Sequence, residues 1–306
     1  MTYGRPEVAR ALNALEARAS VYGARTHPEV DRAVREPRPD ARVIGLTGPP
    51  GVGKSSLAGK LIEQWRAADL TVGVLCIDPS SRASGGALLG DRLRMRIGGT
   101  DPGVFVRSMA ARDRLGGLAP ATLDAALVMR AAFDRVLIET VGVGQSEVEV
   151  SDVADMTVVV VQPGSGDALQ FVKAGLMEVF DLLVVNKADL GALAEIACRE
   201  LRHALRVRGR RDEPVIPVSA ETGAGVTAVV MALDRIFEQR KPGLAARRAT
   251  ALRALVLRRF VEWHGLSAVV RVGGLTRLRA LLDGAAPDAT PGELSALLEL
   301  VLDGDA

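Results

Sequence analysis

Two short stretches hold the residue types that phosphate and base chemistry need. Gly48-Pro49-Pro50-Gly51-Val52-Gly53-Lys54-Ser55 satisfies G-x-x-x-x-G-K-[ST]. Its glycines allow backbone N–H groups to turn inward around phosphate oxygens, and a helix opening at Ser56 adds partial positive charge. Lys54 is a point charge for the β- and γ-phosphates, and the Ser55 hydroxyl is a ligand for Mg²⁺. The expected phosphate contacts are therefore Gly48, Pro49, Pro50, Gly51, Val52, Gly53, Lys54, Ser55 and Ser56. Further along comes Asn186-Lys187-Ala188-Asp189, the pattern N-K-x-D. A carboxylate at Asp189 can accept from both N1–H and the exocyclic amine of guanine. Adenine, with N1 unprotonated, would leave that charge unpaired, a difference of about 1–3 kcal/mol by analogy with bidentate base contacts. The Lys187 stem can lie along the base, Asn186 can tie this loop to the phosphate loop, and Ser219-Ala220-Glu221 can offer a backbone N–H to guanine O6. The expected ligand is GTP or GDP rather than ATP.

A third group could serve hydrolysis. Glu139-Thr140-Val141-Gly142-Val143-Gly144-Gln145-Ser146 stands where a small GTPase has D-x-x-G. The N–H of Gly142 is placed to sense the γ-phosphate, with Gly144 as a hinge for the loop. Asp78 and Asp91 are further acids for the magnesium, each of which could equally be a solvated loop carboxylate. The catalytic candidates are then Lys54, Glu139 and Gly142, and the metal candidates Ser55, Asp78, Asp91 and Glu139. No residue can be assigned to orient the attacking water.

These residues need a scaffold that ends several strands in one place. Short Val/Ile/Leu runs at Val43–Thr47, Val72–Ile77, Val104–Arg107, Val136–Glu139, Thr157–Gln162, Leu182–Asn186 and Val215–Ser219 alternate with helical patterns. Several are apolar without alternation, as strands covered on both faces are. The fold class read from this is α/β, a three-layer P-loop domain over residues 42–241 with a mostly parallel sheet. Val8, Leu12, Leu15 and Ala19 recur at helical spacing, so residues 1–41 read as an N-terminal helical arm ending in a charged linker, Arg35 to Arg42. Residues 242–306 are wholly helical. One stripe there is Leu252, Leu255, Val256, Phe260 and Trp263; another is Leu294, Leu297, Leu298, Val301 and Leu302. They pack either on the main domain or in a dimer interface. Arg247, Arg248, Arg253, Arg258 and Arg259 read as a solvated helix face, with binding to an acidic partner surface the alternative.

Composition removes other classes. Hydrophobic residues are 48%, charged residues 25% and the net charge is +2, which excludes a disordered chain and gives no field to attract nucleic acid or membrane. No apolar run reaches the roughly 20 residues of a membrane span, no secretory h-region opens the chain, and Cys76 and Cys198 stand far apart, so a reduced, cytoplasmic protein is expected. His27, His203 and His264 lack metal-ligand spacing. Of 39 basic residues only five are lysine, at 54, 60, 173, 187 and 241.

Taken together, Ile77-Asp78-Pro79-Ser80-Ser81, Leu89-Gly90-Asp91-Arg92, Phe105-Val106-Arg107-Ser108, Leu115-Gly116-Gly117, Glu139 to Glu147 and Val184 to Asp189 resemble the MeaB/ArgK family over residues 42–240. The resemblance implies a SIMIBI-class G domain with helical extensions, commonly a homodimer. It also implies a slow GTPase that acts as chaperone of an adenosylcobalamin-dependent acyl-CoA mutase, methylmalonyl-CoA mutase or a related enzyme. Gly164 to Gln170 with Lys173 match the partner-sensing switch. The chain departs from the family at Asp113 and Phe171, where Gly is usual, and in its C-terminal helices. A metal-delivery GTPase of the same class and a small-molecule kinase are the alternatives. The first would usually carry His-rich segments, and the second needs an acceptor pocket with a base aimed at it.

Overall fold

A computed structural model describes residues 4–18, 28–79, 101–111, 120–140, 149–164, 180–210 and 212–304. Its strands are β1 (Arg42–Thr47), β2 (Val72–Pro79), β3 (Val104–Ala111), β4 (Arg135–Glu139), β5 (Met156–Val161), β6 (Leu182–Val185) and β7 (Val215–Pro217). They form one sheet in the order β3-β2-β4-β1-β5-β6-β7. The expectation of a mostly parallel sheet is sharpened: every pairing among the described strands is parallel. The reason lies in the burial pattern. Successive residues point to opposite faces, and both faces are covered, so β5 is buried from Met156 to Val161 without a break.

The described helices are α1 (Arg5–Arg18), α2 (Pro28–Arg35), α3 (Lys54–Ala67), α4 (Pro120–Ala132), α5 (Ala192–Val207), α6 (Val226–Arg240), α7 (Leu244–Arg271), α8 (Gly274–Asp283) and α9 (Pro291–Gly304). On one face, Leu57, Leu61 and Trp65 of α3 and Val229, Leu233 and Phe237 of α6 meet Ile44, Leu46 and Leu137. On the other, Val8 and Leu12 of α1, Val30 of α2 and Leu123 and Val128 of α4 meet Val43, Val136 and Ile138. Beside them Cys198, Leu201 and Leu205 of α5 cover Val159, Val161, Leu183 and Val185. Helix α2 was not foreseen: its eight residues are short and highly charged, and its place is decided by the burial of Val30 and Ala33.

The C-terminal stripes resolve inward. Val256 and Phe260 of α7, Leu278 and Leu282 of α8 and Leu294 and Leu298 of α9 form their own cluster, while Leu255 joins the α4 side of the main core. Trp263 departs from its stripe and is 58% exposed. Two residues on, Gly265 breaks α7 with φ 77° and ψ 173°, so helical spacing does not carry one face through the element. The arginines are also corrected. Arg248 pairs with Asp155 at 2.6 Å, Arg259 with Asp124 at 2.6 Å and Arg258 with Asp152 at 3.3 Å, while Arg253 donates to Leu282 O. Only Arg247 of that set is exposed. The charged face is a set of staples holding α7 to the sheet domain and to α8. Cys76 and Cys198 are buried and not joined in a disulfide, and His264 lies 2.9 Å from Glu299.

Candidate nucleotide site

Strand β1 runs into the phosphate loop, and β4 and β5 flank it. The C-terminal strand ends where connections diverge form the ligand crevice of open parallel sheets. Gly48 takes φ 142°, and a Cβ there would lie 2.1 Å from Val160 O, so only glycine lets the loop leave β1 against β5. Gly53, at φ 92°, caps α3, and a Cβ there would lie 2.3 Å from Asn186 Nδ2. Helix α3 therefore starts at Lys54, two residues earlier than expected, and the N–H groups of its first turn face the loop. Lys54 is 6% exposed and its Nζ donates to Gly48 O at 2.6 Å and Pro49 O at 2.9 Å. The ammonium is thereby held over the cradle.

At the second residue of α3, Ser55 Oγ donates to Glu139 Oε1 at 2.5 Å. Glu139 is 1% exposed and ends β4, where it is paired in register with Leu46 of β1. Two hard oxygen donors side by side fit Mg²⁺, which prefers such ligands. Asp78 lies two residues beyond Cys76, the β2 partner of Glu139; its side chain lies outside the described residues. So do Asp91, Gly142, Asp113, Phe171 and the switch residues from 165 to 170 with Lys173. Two buried residues at this junction were not singled out from the sequence. Thr140 Oγ1 donates to Thr47 Oγ1 at 3.0 Å, and Thr140 N donates to Leu46 O, locking the end of β4 to the end of β1 before the loop.

Asn186 joins the two motifs. It is 3% exposed; its Nδ2 donates to Val52 O at 2.7 Å and its Oδ1 accepts from Ala220 N at 3.0 Å. Phosphate loop, N-K-x-D loop and the Ser219–Glu221 loop thus hang on one amide. This also amends an expectation: the Ala220 N–H is already donated to Asn186, so guanine O6 would have to share it. Lys187 holds the left-handed conformation, φ 60° and ψ 42°, uncommon for a residue with a Cβ and typical of sites whose surroundings enforce it. Its Nζ donates to Gln162 Oε1 at 2.5 Å. Gln162, directly after β5, was missed by motif reading; its position at a strand's C-terminal end is the signal that could have found it. Asp189 is exposed, and hydrogen bonds from Ser219 and from its own backbone, with Lys187 nearby, hold its carboxyl below the usual range. It stays an acceptor at neutral pH.

Gly53, Ser56, Asn186, Lys187, Asp189 and Glu221 border a cleft of about 560 Å³, within the size range of small-ligand sites. Lys60 of α3 borders it too, paired with Glu63 at 2.8 Å.

Residues 8–271 match the family described as "Methylmalonyl Co-A mutase-associated GTPase MeaB". The chain belongs to that family. The match extends beyond the motif-bearing residues 42–240 to take in most of α1, α2 and the whole of α7. A Pyrococcus horikoshii protein named "Putative GTPase" is 50% identical over 209 residues, 66% of this chain and 65% of that protein, so the matched stretch spans just under two thirds of the relative. The mouse protein named "Methylmalonic aciduria type A homolog, mitochondrial" is 41% identical over 195 residues, 60% of this chain and 46% of its own length. Among solved structures, one described as LAO/AO transport system kinase has TM-score 0.63 at 24% identity, covering 97% of this chain and 93% of that one. The nickel complex of HypB from Helicobacter pylori has TM-score 0.51 at 16% identity, covering 75% and 96%. Both likenesses speak to fold alone. This is a P-loop GTPase fold within a GTPase family, and no described helix is long and apolar enough to cross a membrane.

Proposed function

We propose that this chain hydrolyses GTP, slowly when alone, and acts in the cytoplasm as the chaperone of an adenosylcobalamin-dependent acyl-CoA mutase, methylmalonyl-CoA mutase or a related enzyme. In this reading the nucleotide state gates cofactor loading and protects the mutase. The observation that carries the nucleotide half is the Asn186 amide, which fixes a guanine-reading carboxylate and a phosphate cradle in one cleft. Family membership supports the mutase half.

Lys54 places positive charge on the β- and γ-phosphates, and the loop glycines supply backbone N–H donors. Ser55 and Glu139 hold Mg²⁺, with Asp78 and Asp91 as further acids. The ion, when bound, neutralises charge on the phosphates. Asp189 accepts from guanine, and Gly142 reports the γ-phosphate. Residues 42–241 form the GTPase domain, 1–41 its arm and 242–306 a C-terminal extension that pairs two chains. Trp263, Leu266 and Val270, at 58%, 69% and 75% exposure, support that pairing face.

The deciding experiment measures GTP turnover with and without each B12-dependent acyl-CoA mutase of the host, together with release of inorganic phosphate. Stimulation by one mutase is expected. No stimulation by any, with the γ-phosphate recovered on a metabolite, would overturn the reading in favour of a kinase.

A further inference from the structure

Helix α4 carries two charges on an otherwise apolar sequence, PATLDAALVMRAA, and they are treated differently. Asp124 is paired with Arg259 of α7. Arg130 is only 9% exposed, its Nε has no hydrogen-bond partner, and no ion pair reaches it among the described residues. A buried cation without a partner costs several kcal/mol in general, so its retention calls for a counter-charge. The adjacent carboxylate cannot supply one. Asp155 Oδ1 accepts from Arg248 Nε at 2.8 Å, and its Oδ2 from Arg248 Nη2 at 2.6 Å and Val43 N at 2.8 Å. Burial first, and then repulsion from Arg248, push the Arg130 guanidinium down to about 10, against a weaker pull from Asp155.

Arg130 borders a cleft of about 1070 Å³ between the sheet domain and the C-terminal helices. Its apolar wall includes Leu127, Leu252, Leu255, Leu294 and Leu297. The other acids on it are committed or at the mouth: Glu293 pairs with Arg35, Asp152 with Arg258, and Asp288 is exposed, as is Arg247. One uncompensated buried cation above aliphatic walls suits a monoanion with an apolar body. A dianion would need a second buried cation.

We propose that this cleft is a second ligand site, taking an amphipathic carboxylate whose head pairs with Arg130 and whose aliphatic chain lies along the leucines. The site stands apart from the nucleotide. Val43, at the start of β1, holds Asp155 at the cleft, and Thr47, at its end, enters the phosphate loop; four residues of strand put roughly 13 Å between them. The proposal does not rest on the identity of the mutase or on GTP hydrolysis.

The test titrates octanoate, with inorganic phosphate as the comparison probe, into the full chain by calorimetry and thermal melting, using wild type, Arg130→Met and Ala249→Phe. Ala249 borders the cleft, so phenylalanine there fills it while keeping the cation. Octanoate is expected to bind one per chain and to raise the melting temperature. Arg130→Met should melt no lower than wild type and bind octanoate about tenfold or more weaker, since a charge-assisted pair is lost. Ala249→Phe should abolish binding, and GTP turnover of both variants should match wild type. If Arg130→Met does not fold, loss of octanoate binding in Ala249→Phe carries the proposal. It is overturned if octanoate does not bind wild type, if either folded variant binds it equally well, or if phosphate binds as tightly, which would mark a site for free inorganic anions.

Discussion

The two ends of the sheet are both lined with charge, and they use it in opposite ways. At the C-terminal ends of β1, β4 and β6, the described hydrogen bonds of the charged groups run to neutral ones: Lys54 to two carbonyls, Glu139 to a serine hydroxyl, and Asp189 to Ser219 and its own backbone, with Lys187 nearby. At the N-terminal ends, charges are held by each other. Asp155 takes Arg248 twice, and Arg240 donates to Asp155 O and to Asp181. Groups neutralised by one another are spent on holding α6 and α7 in place. On the proposed reading, the difference separates a working edge from a structural one, with Arg130 the exception on the structural side.

The largest effect should come from breaking the structural edge. Asp155→Ala takes the buried carboxylate away from half-buried Arg248 and from Val43 N and should cost about 3–5 kcal/mol of stability in denaturant titrations, while GTP affinity of the folded fraction is unchanged. Lys54→Ala does the reverse. Turnover should fall on the order of 100–1000-fold, the range for losing one preorganised electrostatic contact, with little change in melting temperature. If Lys54→Ala unfolds the chain, the working edge is structural after all and the contrast fails. Asp189→Ala should reduce the preference for GTP over ATP by roughly 10- to 100-fold in competition binding, corresponding to about 1–3 kcal/mol. An unchanged preference would mean that Asp189 does not read the base.

The smallest effect concerns pH. Hydrogen bonds from Arg66 and from the Gly103 backbone, against burial, hold the Asp101 carboxyl below its ordinary value. Because the folded value is the lower one, this contact stabilises the fold above the ordinary carboxylate pKa of about 3.9 and is lost as pH falls through the folded value. Asp101→Asn should flatten the acid limb of the melting curve below pH 4 by under about 1 kcal/mol, as for other pairs near the protein surface. A larger change would place a structural staple on a loop where none is expected.

Strand order and partner choice differ in how far they can be read along the chain. The runs at Val43, Val72, Val136 and Leu182 were legible because strands buried on both faces need apolar residues at every position, whichever neighbours they have. Their order was not, since hydrogen bonding between backbones is blind to side-chain identity. The Gly48–Ser55 and Asn186–Asp189 motifs were legible because phosphate and guanine each dictate residue types at fixed spacing. Gln162, Thr47 and Thr140 were not, because a polar residue at a strand end has no local pattern until its partner arrives from another strand. The arginines of α7 misled for a related reason: a charge run on a helix reads as solvated unless the carboxylates that meet it, Asp124, Asp152 and Asp155, are known to lie across from it.

By itself the sequence determined the class of scaffold and pointed to a guanine nucleotide, since Lys54, Ser55 and Asp189 are of the donor and acceptor types that GTP calls for at that spacing. Only the tertiary structure decided how those groups are held. It brought Asn186 against Val52 and Ala220, set Glu139 on Ser55, and left Arg130 buried without a carboxylate. Each of these depends on elements far apart in the chain meeting in space, and the energy of a buried polar group is fixed by the partner it finds there.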